Sequence, residues 1–211
     1  PRQLRKVAIV GGGPTRMRAP FKDPSWEIWA FSSKKGRLPR ITRWFEIHAM
    51  TDLRQQLADY KRGRRSFRNY MRFMRRLKCP VYMMKVHPRV PTSVEFPAQM
   101  LIERFGRIFT STAAFLIALA IVEGYDVIGL WGINMDRRKY WRQRPAVRHL
   151  LAHARQRGIK VVVPRRFPLT IPETPPPIKE TRVIYAYEWR KRGAWWRARV
   201  YRRLRRRRRR R

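Results

Sequence analysis

Five short stretches of this 211-residue chain carry groups that could do chemistry. Gly11-Gly12-Gly13-Pro14-Thr15 lacks Cβ atoms where backbone N–H groups would have to approach a phosphate or sugar, and the same run also makes a tight turn. Trp44-Phe45-Glu46-Ile47-His48 sets a carboxylate and an imidazole two residues apart, on one face of an extended strand. Such a pair suits acid–base catalysis or substrate binding, or serves as a salt-bridged couple at a strand end. Thr110-Ser111-Thr112 stands before a long apolar stretch, at a helix start where unpaired N–H groups and the helix dipole attract phosphate; ordinary capping asks for the same residues. Ser32 and Ser33 offer hydroxyls to a base or ribose, or simply turn the chain. Gly132, Asn134 and Asp136, with Tyr140, Gln143 and Arg144 in the next loop, could meet an anionic ligand or lie in a solvated loop.

The elements that must position these groups alternate in type. Lys6 to Val10 is a short apolar run entering the glycine turn, as expected of a buried parallel strand; Trp26 to Phe31, Ile41 to Ile47 and Cys79 to Met84 read as the next three strands. Thr51 to Tyr60 and Ser66 to Leu77 have helical periodicity, the latter through Phe67, Tyr70, Met71, Met74 and Leu77. Pro97 and Gly106 bracket a short helix over Ala98 to Phe105. Ala113 to Glu123 is a nearly all-apolar helix stopped by Gly124, and must be buried on most sides. Asp126 to Trp131 is a fifth strand, Pro145 to Arg157 an amphipathic helix, and Ile159 to Val163 a sixth strand. The pattern predicts an α/β fold, a Rossmann-like mainly parallel sheet with helices on both faces, over residues 1–165. Ligands of such sheets sit beyond the carboxyl ends of the strands, where the glycine turn, Glu46 and His48 fall.

From Pro164 onward the composition changes. Pro168, Pro172 and Pro175-Pro176-Pro177 predict an extended proline-rich linker over 166–178, followed by a basic aromatic and arginine-rich tail over 179–211. Lys179 to Leu204 can form a basic helix bearing Tyr185, Trp189, Trp195, Trp196 and Tyr201, aromatics that could stack on bases between arginines. The formal charge is +39; Trp189 to Arg211 holds 14 Lys and Arg and no acid, which leaves +25 on the rest. A field of that size attracts nucleic acid or anionic surfaces through counterion release, without reading sequence.

Several chemistries are set aside. The glycine turn lacks the Lys-Ser/Thr ending of a P-loop, and Arg16 occupies the last glycine position of the dinucleotide pattern. His149 and His153 stand four apart without the glutamate of the zinc-protease motif, and no metal-ligand cluster is evident, so any Mg²⁺ would come mainly with substrate. The lone Cys79 reads as a small buried apolar residue in a reducing compartment. The apolar run Ala113 to Val122 is about half of what a membrane-crossing helix needs, so a cytoplasmic protein is expected.

The succession IVGGGPT, PSWEIWAFSS, RWFEIH, IFTSTAAFLIALAIVEGYDVIGLWGINM and RGIKVVVP resembles a family of tailed-bacteriophage Rossmann-like proteins over residues 6–165. GGGPT, the TSTAAFLIALAIVEGYDVIGLWGIN block and IKVVVP are also similar, more distantly, to the family 42 bacterial sialyltransferases, which bind a cytidine nucleotide sugar across the same strand ends. The resemblance implies nucleotide contacts at Gly12, Gly13, Ser32, Thr110 and Ser111, with Asn134 and Tyr140 nearby. Gly12 and Ser32 stand where those enzymes have asparagines, and residues 136–144 contain no histidine to act as their base. A phage-encoded nucleotide- or nucleotide-sugar-binding protein is expected, glycosyl- or phospho-transferase-like, with Glu46 or His48 as the acid–base group. The alternative is a nonenzymatic nucleic-acid-binding accessory protein working through its basic surface and tail.

Overall fold

The computed structural model describes residues 2–31, 38–50, 53, 67–136, 140–165 and 167–185. Seven parallel strands form one sheet: β1 (Lys6–Val10), β2 (Trp26–Phe31), β3 (Arg43–Glu46), β4 (Val81–Met83), β5 (Ser93–Glu95), β6 (Val127–Trp131) and β7 (Lys160–Val162), in the order β5-β4-β3-β2-β1-β6-β7. The expected α/β architecture is present, with one strand more than the six read from sequence. β5 escapes a hydrophobicity argument because it is a three-residue edge strand, Ser93-Val94-Glu95, with two of its three residues exposed. The helices are α1 (Phe67–Arg75), α2 (Ala98–Phe105), α3 (Thr112–Val122) and α4 (Arg144–Gln156), and a 3₁₀ turn spans Pro14–Arg18. Of the helix expected over Thr51 to Tyr60, all but Leu53 lies outside the described residues.

β1 and β6 are interior strands, paired on both sides, because Val7 to Val10 and the whole of β6 are apolar and buried. From β1 the chain works outward through β2, β3, β4 and β5, then crosses back to place β6 on the other side of β1. The connections diverge at that point and open a crevice at the carboxyl ends of β1 and β6. α3, with sequence TAAFLIALAIV, explains why one sheet face is so dry. Ten of its eleven residues are buried, since it packs on β1 and between α2 and α4. A helix apolar all round has no solvent face to offer. Its N-terminus opens on the crevice, so the burial of its Leu, Ile and Phe side chains, roughly 1.5–3 kcal/mol each, also holds the first helical turn at the carboxyl rim.

On the opposite face, α1 covers Ala30, Trp44, Val81 and Met83, while Ala19 and Phe21 cover Ala8, Val10 and Ile28. Gly129 makes room there for the Trp131 ring, which a Cβ would overlap and which meets Trp26 edge to face at 5.6 Å.

Residues 167–185 are packed along the domain. Leu169 and Ile184 belong to the main core, and Phe167, Ile171, Ile178 and Tyr185 pack against it. The apolar residues among the prolines are thus buried or half-buried against the core. His149 donates to the Pro176 carbonyl at 2.8 Å, and Arg148 and Arg155 to those of Thr170 and Ile171. The helix expected from Lys179 is not formed over residues 179–185, and its remainder lies outside the described residues.

Candidate active site

A cleft of about 450 Å³ occupies the crevice. Gly12, Gly13, Glu46, His48, Ser111, Asn134 and Tyr140 line it, together with Phe31, Phe45, Thr112, Ala113, Gln143 and Tyr185. Sequence reasoning thus brought seven of its nine site residues to one place. Ser32 lies outside the described residues, immediately after Phe31. Thr110 is not a lining residue: its hydroxyl is buried and finds no hydrogen-bond partner among the described residues.

Of the two roles open to the glycine turn, Gly11 and Gly13 take the structural one. Gly11 N–H donates to the Trp131 carbonyl and Gly13 N–H to that of Gly132, both at 2.8 Å, which extends the β1–β6 ladder past the strand ends. Gly132 N–H in turn donates to Thr15 Oγ1 at 2.8 Å. A Cβ on Gly13 would lie 2.8 Å from the Gly132 carbonyl oxygen, and Gly132 itself has φ +66° with the Gly11 carbonyl 2.5 Å from where its Cβ would be. These glycines are required by backbone against backbone, and the N–H of Gly13 is not available to a ligand. Among the described residues, Gly12 keeps an N–H with no intramolecular partner.

At the α3 N-terminus, Ser111 acts as the cap, its Oγ accepting from Ala114 N–H at 3.2 Å. The N–H groups of Thr112 and Ala113 have no partner among the described residues, and first-turn N–H groups project out of the helix end. Thr112, Ala113 and Gly12 therefore border one volume with unsatisfied donors, the arrangement that receives a phosphate. No described lysine or arginine lines the cleft. Arg144, expected near an anionic ligand, instead clamps the carbonyls of Met135 and Asp136 at 2.6 and 2.7 Å and so shapes the loop after β6.

Glu46 and His48 meet, though not by strand alternation. β3 ends at Glu46, and the chain turns so that His48 N–H donates to Glu46 Oε1 at 3.2 Å while His48 Nδ1 lies 2.6 Å from the same oxygen. Glu46 is 2% exposed. Its other oxygen accepts from the Tyr70 hydroxyl at 2.6 Å, and Tyr70 accepts from Trp44 Nε1–H at 3.1 Å. Burial, and then the Glu46 carboxylate beside it, push the Tyr70 phenol well above its usual range, so Tyr70 stays a donor. With Glu46 accepting from Nδ1–H, the imidazole is held in the tautomer whose Nε2 is a base.

The partner of Nε2 is Tyr185, whose Oη lies 2.5 Å away. Sequence reasoning missed it by assigning it to the tail. Backbone bonds place it: Thr181 N–H to the Arg107 carbonyl at 2.6 Å and Tyr185 N–H to that of Phe109 at 3.0 Å bind this strap beside the segment leading into α3. The buried Ile184 was the available sequence signal, an apolar residue flanked by Val183 and Tyr185 after a proline-rich stretch. Burial raises the Tyr185 phenol well above its usual value, against a lowering by its hydrogen bond with Thr112.

A second polar network lies at the amino-terminal rim. Arg43 binds both Glu123 oxygens at 2.8 and 2.9 Å and Glu27 at 3.1 Å, and Tyr125 donates to Glu27 at 2.5 Å. Burial opposes charge on Glu27, but hydrogen bonds from Tyr125 and Trp29 and the Arg43 guanidinium outweigh it and hold the carboxyl below its usual range. Cys79 is half-buried against the α1 cluster, and burial pushes its thiol up. Among the described residues no group of three metal-ligating side chains occurs, and no helix is long and apolar enough to cross a membrane.

No protein-family model and no curated protein matches the sequence. Among solved structures the chain is similar to the sialyltransferase CstII from Campylobacter jejuni in complex with the substrate analogue cytidine-5'-monophosphate. That match has 13% identity and a TM-score of 0.44, over 85% of this chain and 89% of that one. It is similar also to the same sialyltransferase in complex with CMP-3FNeuAc, at 12% identity and a TM-score of 0.46 over the same shares.

Proposed function

We propose that the cleft binds the phosphate-bearing part of a nucleotide or nucleotide sugar, and that the protein is a glycosyl- or phospho-transferase-like enzyme. In this reading, phosphate sits against the free N–H groups of Gly12, Thr112 and Ala113. His48, oriented by Glu46, moves the proton. One observation carries it: an imidazole held by a buried carboxylate opens on the same cleft as a helix N-terminus with unsatisfied donors, at the switch point of a parallel sheet. The cleft volume is in the range that encloses a small ligand, and Asn134, Tyr140 and Gln143 offer polar groups for the rest of it. Thermal-shift measurements with ribonucleoside monophosphates and their nucleotide sugars test this reading. A rise in melting temperature is expected for phosphate-bearing members and none for the nucleosides; a panel with no stabilising member would refute it.

The charge supports a second role for the same chain. Nonspecific nucleic-acid binding through the basic tail is proposed from the 14 positive and no negative side chains of residues 189–211, which lie outside the described structure.

A further inference from the structure

The geometry points to Tyr185 as a nucleophile that takes the transferred group onto its own hydroxyl before an acceptor receives it. Both ring nitrogens of His48 are engaged: Nδ1 at 2.6 Å from Glu46 Oε1, Nε2 at 2.5 Å from Tyr185 Oη. A substrate hydroxyl entering the cleft does not meet an open Nε2; it meets the phenol that Nε2 holds. Tyr185 lines the cleft, its O–H is aimed at a base, and that base is oriented by a buried carboxylate. This nucleophile–base–orienter sequence activates a weak hydroxyl in covalent catalysis. Two further features stabilise a phenolate at this position. The Thr112 hydroxyl hydrogen-bonds Tyr185, and Thr112 is the first residue of α3, whose amino end carries positive partial charge. An unassisted phenol in this buried place would hold its proton far into the alkaline range, so it needs the base.

The identity of the electrophile rests on the nucleotide-sugar reading of the cleft, whereas the activation of the phenol does not. In the first step Tyr185 Oη bonds to the anomeric carbon as the bond from that carbon to the phosphate oxygen breaks. The nucleotide leaves with the electron pair, the phenol proton passes to His48 Nε2, and His48 yields it to the departing phosphate. In the second step an acceptor hydroxyl attacks the same carbon, its proton goes to His48, and His48 returns it to Tyr185 Oη as the glycosyl–tyrosine bond breaks. Two displacements at one carbon retain its configuration.

The test uses the full chain and N-acetylimidazole, a small electrophile that O-acetylates tyrosine, with the modified residues mapped by mass spectrometry. Tyr185 is expected to acetylate at neutral pH at a rate that levels off with rising pH. In His48→Gln the rate should fall at least about tenfold while exposed tyrosines react as before. A Tyr185 rate in the unmutated protein that only climbs with alkalinity, as for a free phenol, would overturn the proposal without reliance on any variant. Intact-mass measurement after incubation with the nucleotide-sugar panel then looks for a glycosyl adduct, absent in Tyr185→Phe. Rapid acetylation with no adduct would overturn the nucleotide-sugar reading and leave the nucleophile standing; an adduct elsewhere than Tyr185 would overturn the nucleophile.

Discussion

In the proposed mechanism Glu46 orients His48, and in the fold it accepts from Tyr70, so its substitutions separate the two roles. Glu46→Ala removes the acceptor of the buried Tyr70 hydroxyl as well as the orienter of His48, and should cost about 1–3 kcal/mol of stability in chemical denaturation. Glu46→Gln keeps a carbonyl acceptor at the same place and should fold with a smaller loss, yet lower turnover by about a hundredfold or more on whichever donor stabilises the protein, because it no longer balances an imidazolium. Equal activity of Glu46→Gln and wild type would remove the carboxylate from the mechanism. The pair itself was legible in sequence, as a carboxylate and an imidazole two residues apart near a strand end. The contact with Tyr185 was not, because that partner is 137 residues away in sequence.

The strands and helices were mostly legible because the periodic apolar runs are long: α3, α4, β1, β2 and β6 fall within a residue or so of where the sequence puts them. The edge strand β5 was not, since Ser93-Val94-Glu95 has one apolar side chain and two exposed residues, whereas the apolar run at the other edge marked β7. The role of the glycine turn was half legible. Its position at the cleft followed from the strand before it, but that Gly11 and Gly13 serve the β6 loop is a tertiary fact between segments about 120 residues apart. Gly132→Ala should therefore destabilise the protein by about 1–3 kcal/mol, through a strained positive φ and a clash with the Gly11 carbonyl, and should weaken ligand binding as the two loops separate. Urea denaturation and calorimetry on that variant measure both effects; unchanged stability would show that the loops are not interlocked.

Across the whole molecule, the cleft lining and the chain differ in charge. The described cleft lining holds Glu46, Asp136 and His48 and no lysine or arginine, while the chain as a whole carries +39. At the amino-terminal rim, Glu27 has a depressed carboxyl, so its contribution is present above the ordinary glutamate range and is lost as pH falls through the lowered folded value. Glu27→Gln should thus be less stable than wild type by about 1–2 kcal/mol at pH 7, a gap that closes as wild type is acidified; a pH-independent gap would deny the charge its role. Deleting residues 189–211 should leave the melting temperature unchanged. It should also flatten the salt dependence of nucleic-acid binding by about 0.7–0.9 for each phosphate the tail no longer neutralises, with residual binding from the remaining +25. Cutting at residue 178 should instead lower the melting temperature, because it removes the fully buried Ile184 and the Tyr185 strap. Equal salt slopes for the full chain and the shorter deletion would mark the arginine run as a bystander.

In the proposed reading phosphate lies at the amino end of α3, and Ala113→Pro removes a donor at that place. Proline is tolerated in a first helical turn, and the substitution deletes one of the free N–H donors. Calorimetric titration with the four ribonucleoside 5′-monophosphates and their nucleosides should show binding of at least one monophosphate to wild type. That affinity should fall at least about tenfold in Ala113→Pro, as expected for one hydrogen bond to a charged group. Monophosphate affinity identical in the two proteins, or no binding by any monophosphate, would contradict that placement.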